Sequence, residues 1–179
     1  MTARQIITAA AAFAAITPCA AQAQMTMPMP SMNVSSVDRA FLIKNAQGSV
    51  SDLAHGEAGT ERASTNELRQ FAIQIVEDHS RLNMQLYQLA QKKGLALPVV
   101  MEDKDRDELQ SLVQKQGTDF DRAFLQAEVR INTEDVRDGD KELSVTQDPD
   151  VRAVVQQYRD TESLMLSRAQ TFLSRMERK

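Results

Sequence analysis

The chain has 179 residues, 21 Lys and Arg against 25 Asp and Glu, and a formal net charge of −4. That balance argues against a nucleic-acid partner, which a basic excess would have to meet. Six Gly, no Trp and 4% aromatics supply neither phosphate-cradling loops nor stacking platforms, whereas 42% apolar residues suffice for one packed domain.

Residues 1–23 read as a secretory signal peptide. Arg4 gives a positive start, Ile6 to Ile16 an Ala-rich apolar stretch, and Ala21-Gln22-Ala23 a small-x-small cleavage pattern after the break at Pro18. The apolar stretch is too short to cross a bilayer, and no other segment approaches the length a span requires. Pro18 stands where a small residue precedes a lipidated cysteine, so Cys19 is not read as a lipid anchor. Cleavage after Ala23 removes that sole cysteine, so no disulfide, thiolate nucleophile or Cys-based metal site is expected in the mature chain. The expected location is the periplasm, with outer-membrane association or secretion as alternatives.

Residues 24–36 carry Pro28 and Pro30 among small and flexible side chains and read as a linker ahead of a helical domain over 37–179. From there Gly and Pro are scarce, strand-type alternation is absent, and apolar residues recur at three and four. A first helix is expected from Val37 to about Thr60, started by Ser35 and Asp38 and containing Gly48, Gly56 and Gly59, which suggest close packing. A second follows Ser64-Thr65-Asn66-Glu67, a capping-box pattern, and ends at Gly94. A short acidic helix over 103–115 comes next, then a long one from Thr118 to Val145 with Gly139 as a weak point. Asp148 and Pro149 open the last helix, which runs to about Arg178. Two hairpins joined by a long connection that holds a short extra helix define an all-α, ferritin-like four-helix bundle.

The inner faces follow from the spacing. The second helix gives Leu68, Ala72, Ile75, His79, Leu82, Leu86 and Leu89; the last gives Val151, Val155, Tyr158, Glu162, Met165, Ala169, Phe172 and Met176. On the first helix, Ile43, Ala46, Val50, Leu53 and Ala54 define the face, with Glu57 inside it. On the long third, Glu128 and Asp135 fall between two apolar edges. His79, Glu57, Glu128 and Glu162 are thus candidate metal ligands, since carboxylates and imidazoles converging from facing helices hold metals in bundles. The simpler alternative makes His79 a hydrogen-bonded interior histidine and the acids end-of-bundle or snorkelling residues. Asp52 and His55, one turn apart, read as a solvated surface pair. Two histidines cannot complete a Ser-His-Asp or zinc-protease pattern, so hydrolase chemistry has no support. Met25, Met27, Met29 and Met32 place four thioethers in the linker, a donor type that selects Cu(I).

Several segments carry a resemblance. Phe41-Leu42 with Ala46-Gln47-Gly48, the run from Phe71 to Val76-Glu77-Asp78-His79-Ser80, Lys92-Lys93-Gly94-Leu95-Ala96-Leu97-Pro98 and Phe120-Asp121-Arg122-Ala123-Phe124 resemble a bacterial exported ferritin-like family, the domain of unknown function 4142. The resemblance spans about residues 38–173 and implies interior Glu and His residues in a metal constellation. Of those positions His79 remains, whereas Ala54, Asn132 and Met165 stand where a Glu and two His are implied. Glu57, Glu128 and Glu162 are the residues that could compensate. The expectation is therefore an exported, non-enzymatic binding or envelope-stress protein with no cofactor and with His79 as a structural residue. A transition-metal protein is the first alternative, and a ferritin-like di-metal oxidoreductase with a degenerate site the second.

Overall fold

A computed structural model describes residues 34–178, in which five helices and no strand occur. They are α1 (Ser36–Arg62), α2 (Asn66–Lys92), α3 (Asp103–Val113), α4 (Gly117–Val145) and α5 (Pro149–Glu177). The expected signal peptide, 1–23, and residues 24–33 of the expected linker, with its four methionines, lie outside the described residues.

Local sequence accounts for most of the helix ends. Ser35 Oγ accepts a hydrogen bond from the Asp38 N–H at 3.0 Å, and Asp148 Oδ1 accepts from the Asp150 and Val151 N–H groups at the start of α5. Gly94 takes φ +65° after α2; its N–H bonds the Gln91 carbonyl and the Leu95 N–H bonds the Ala90 carbonyl. This Schellman closure drops Leu95 into the core. At the start of α2 the cap is Thr65, whose hydroxyl accepts from the Leu68 N–H, and not Ser64 as the spacing suggested. Ser64 is used elsewhere: its N–H and hydroxyl both donate to the Asp121 carboxylate, fastening the α1–α2 turn to the start of α4.

α1 pairs with α2 and α4 with α5, while α2–α5 and α1–α4 contacts close the ring. Lys44 pairs with Asp138, whereas Phe124 approaches Gly59, so α1 and α4 run antiparallel. Phe71 meets Phe172 and Lys93 meets Asp148, so α2 and α5 do as well. α2 and α4 are then parallel, and the connection carrying α3 must return along the bundle. That is the expected arrangement of two helical hairpins joined by a long connection. α3 lies over the α1–α4 side, held there by the ion pair of Glu108 with Arg130.

α1 differs from its expected face. Its buried residues are Asp38, Leu42, Ala46, Ser49, Ser51, Asp52, His55, Gly56, Ala58 and Gly59, while Ile43, Val50, Leu53 and Ala54 are only half-buried. Small residues face inward because the neighbours come close. A Cβ on Gly59 would stand 2.7 Å from Phe124 and 2.8 Å from Ala72, and one on Gly56 2.9 Å from Val76. Gly139 also permits close packing, with Arg159 2.9 Å from a notional Cβ.

Candidate functional site

The apolar core is split in two. One cluster, around Phe71, Ile75, Phe120, Phe124 and Met165, fills the end of the bundle near the α1–α2 turn. The other, around Leu42, Ala46, Leu86, Leu89, Val151 and Val155, fills the opposite end. Between them lies a layer of polar side chains to which all four long helices contribute. Asp52 comes from α1, His79 from α2, Glu128, Asn132 and Asp135 from α4, and Tyr158 and Glu162 from α5.

The enclosure is nearly complete. Glu162 is 0% exposed, Asn132 1%, and Glu128 and His79 3%. His79 Nδ1 lies 3.7 Å from Asp52 Oδ2 and 3.9 Å from Glu162 Oε1, beyond hydrogen-bonding reach. Neither oxygen of Glu162 has a hydrogen-bond partner. Asn132 donates to the Glu128 carbonyl at 2.6 Å and to its Oε2 at 3.3 Å, while its own oxygen is unpartnered. Tyr158 stands close enough to Asp135 to bear on its carboxyl.

Such a layer cannot carry its formal charges. Burial, then repulsion from Asp135, pushes both Asp52 and Glu162 well above the ordinary carboxylate range. Burial likewise raises Glu128 to about 8 and Asp135 to about 6, and it lowers His79 to about 4. The approach of His79 to Asp52 and Glu162 is thus a contact of neutral groups near pH 7 and not an ion pair. Chemically, the layer is a store of protons on oxygen donors, ready to exchange them for a cation. As the side chains stand, no group of three or more His, Cys, Asp or Glu among the described residues is arranged to hold a metal ion. Coordination would require rotation of the carboxyl groups toward a common point.

Of the residues singled out from sequence, His79, Glu128 and Glu162 meet in this layer. Glu57 does not; it is exposed on α1. The surface assignment of Asp52 and His55 is overturned: they are 6% and 2% exposed. Asp52 joins the interior layer, and His55 lies where Glu108, Arg130 and Asp105 act on it, with both ring nitrogens unpartnered. The packing of α3 over the α1–α4 side accounts for that burial, because it supplies cover that the sequence of α1 alone does not show. Asp52 and Tyr158 were missed as members of the polar layer. The signal for Asp52 was present in the run Leu42, Ala46, Ser49, Asp52, Gly56, Gly59, whose spacing marks a face once small residues count as interior.

The fold and its interior define an all-α four-helix bundle with a polar layer across its middle. The chain belongs to the family described as Domain of unknown function (DUF4142), which matches residues 21–172. No curated protein matches it. Among solved structures, the chain is similar to a DUF305 fragment from Deinococcus radiodurans, with a TM-score of 0.71, 16% identity, and coverage of 79% of this chain and 97% of that one. It is also similar to CopM in its Cu(II)-bound form, with a TM-score of 0.68, 17% identity, and coverage of 77% and 96%. For CopM in its Cu(I)-bound form the TM-score is 0.61 at 18% identity, with the same coverage. At these identities the likeness is one of fold. No helix among the described residues is long and apolar enough to cross a membrane.

Proposed function

We propose that this is an exported metal-binding protein whose bundle interior takes up a divalent transition-metal ion on Asp52, His79, Glu128, Asp135 and Glu162. One observation carries the reading. Glu162 is wholly enclosed beside His79 and Asp52, and both of its oxygens lack a hydrogen-bond partner. A buried carboxyl in that state is costly unless something else engages it, and a cation does so directly. The donors are carboxylates and one imidazole, a set suited to Mn(II), Fe(II), Zn(II) or Cu(II) and poorly suited to Cu(I). The role is binding and not turnover: His79 is the sole imidazole among the five donors, and a two-metal oxidative centre of the ferritin type takes more ligands than these.

Calorimetric titration of each ion into chelator-treated protein tests the proposal. Saturable binding that is lost in both Glu162→Gln and His79→Ala supports it. Binding that survives both substitutions sinks it.

A second reading concerns Met25, Met27, Met29 and Met32. Their thioethers favour Cu(I), and a fold neighbour is known in a Cu(I)-bound form. Deletion of residues 24–36 would then abolish Cu(I) binding while leaving binding of divalent ions intact. Equal Cu(I) binding before and after the deletion removes this reading.

A further inference from the structure

The three glycines of α1 are not equivalent. Gly56 and Gly59 lie against neighbouring side chains at distances a Cβ could not share, but a Cβ on Gly48 would meet nothing within 4 Å. Gly48 is therefore unexplained by packing, although it sits inside a 27-residue helix where glycine is unfavourable. What it does is form part of the wall of a cavity of about 220 Å³ between α1, α4 and the start of α3. Asp52 and Asp135 line the same cavity, so it reaches two of the five interior donors. The groove between α2 and α5, lined by Asp78 and Thr161, touches none of the five.

The charges around the cavity favour a cation. Two of its basic side chains are engaged by acids that do not line it, Lys44 by Asp138 and Lys104 by Glu108 at 3.9 Å, and Arg130 is shared between Glu108 and, at 3.9 Å, Glu134 of the lining. Glu102 and Asp105, on the α3 side, have no cationic partner among the described residues within ion-pair distance. Asp105 also bears on Asp52 itself. The cavity is large enough for a hydrated ion, since at about 30 Å³ per water a six-water shell takes roughly 180 Å³.

We infer that this cavity is the port through which a divalent cation reaches the interior layer, and that Gly48 keeps it open. The inference rests on the proposed metal-binding function and adds the route and the residue that controls it. A port affects rates and leaves the equilibrium alone, because a barrier on the path slows arrival and departure equally. The test is stopped-flow mixing of Co(II) with metal-free protein, read through quenching of tyrosine fluorescence, in the parent and in Gly48→Leu. A leucine suits a helix and projects into open space, so the fold is retained. Association and dissociation should both slow by about tenfold or more with Kd unchanged. Thr171→Leu, in another groove between α2 and α5 that is lined by Phe71 and Phe172, should change neither rate.

Saturable binding in the parent with unaltered rates in Gly48→Leu would overturn the port and leave the metal centre standing. Loss of equilibrium affinity in Gly48→Leu would also overturn it, by making the cavity the binding site itself. No saturable binding in the parent would overturn both proposals.

Discussion

Glu162 Oε1 lies 3.9 Å from Nδ1 of His79, with no hydrogen bond between them and no partner for either carboxyl oxygen. The two come from helices that pack directly on each other, at seam positions where the neighbours along each helix are apolar: Ile75 and Leu82 on α2, Met165 on α5. An acid and a base therefore share a dry layer and are both held neutral, which ties stability, protonation and cation uptake together.

The first consequence is a pH dependence with a defined sign. Glu128 is raised from 4.5 to about 8 and Asp135 from 3.8 to about 6. Acids raised in this way contribute stability at low pH that is lost as pH rises through the folded value. His79, lowered from 6.5 to about 4, acts oppositely: its contribution is present above 6.5 and lost as pH falls through about 4. Glu142, raised to about 7 by burial and by Asp38 beside it, adds to the loss on the alkaline side. The metal-free protein is expected to lose stability between pH 6.5 and 8, and Glu128→Gln should flatten that slope. Urea midpoints in chelator at the two pH values measure it; a midpoint that rises toward pH 8 would contradict the assignment.

Replacing the enclosed acid should separate stability from function. Glu162→Met keeps an unbranched side chain of similar size and removes two unpartnered oxygens, so the metal-free protein should gain about 1–3 kcal/mol. The same substitution should erase any rise in melting temperature on adding Mn(II) or Zn(II). Destabilisation of the metal-free protein would mean that the carboxyl has a structural partner.

The glycines of α1 should respond with opposite signs. Gly48→Ala enters open space and should stabilise by about 0.5–1 kcal/mol through helix propensity. Gly59→Ala must displace Phe124 or Ala72 and should cost about 1–3 kcal/mol. Chemical denaturation of the two variants decides this, and destabilisation by Gly48→Ala would remove the open-cavity argument.

The seams of α2 and α5 were legible from spacing, because every expected position from Leu68 to Leu89 and from Val151 to Ala169 is buried. The face of α1 was not, since its interior is made of Ala, Ser, Gly and Asp, and hydrophobicity carries no signal where close approach replaces apolar bulk. The same cause hid Asp52. His79 and Glu162 interrupt apolar stripes and stand out, whereas Asp52 sits among small polar residues and looks like surface until α3 and α4 are packed over it. Ser64 misled for a related reason: its hydroxyl is taken by Asp121, 57 positions away, a tertiary contact that local capping rules do not contain.

Export remains a proposal from the first residues of the sequence. Removal of residues 1–23 predicts an intact mass beginning at or near Gln24 for protein recovered from the periplasm. A mature chain that keeps Cys19 with a lipid attached would contradict cleavage after Ala23.

The most direct measurement of the central claim is anomalous diffraction from crystals grown with Zn(II) or Mn(II), collected on both sides of the metal absorption edge. The account predicts a peak within the bundle, about 2.0–2.2 Å from the Glu162 carboxylate and the His79 imidazole, with Asp52, Glu128 or Asp135 completing the shell. Peaks confined to surface carboxylates, with His79 and Glu162 still apart and unpartnered, would contradict it.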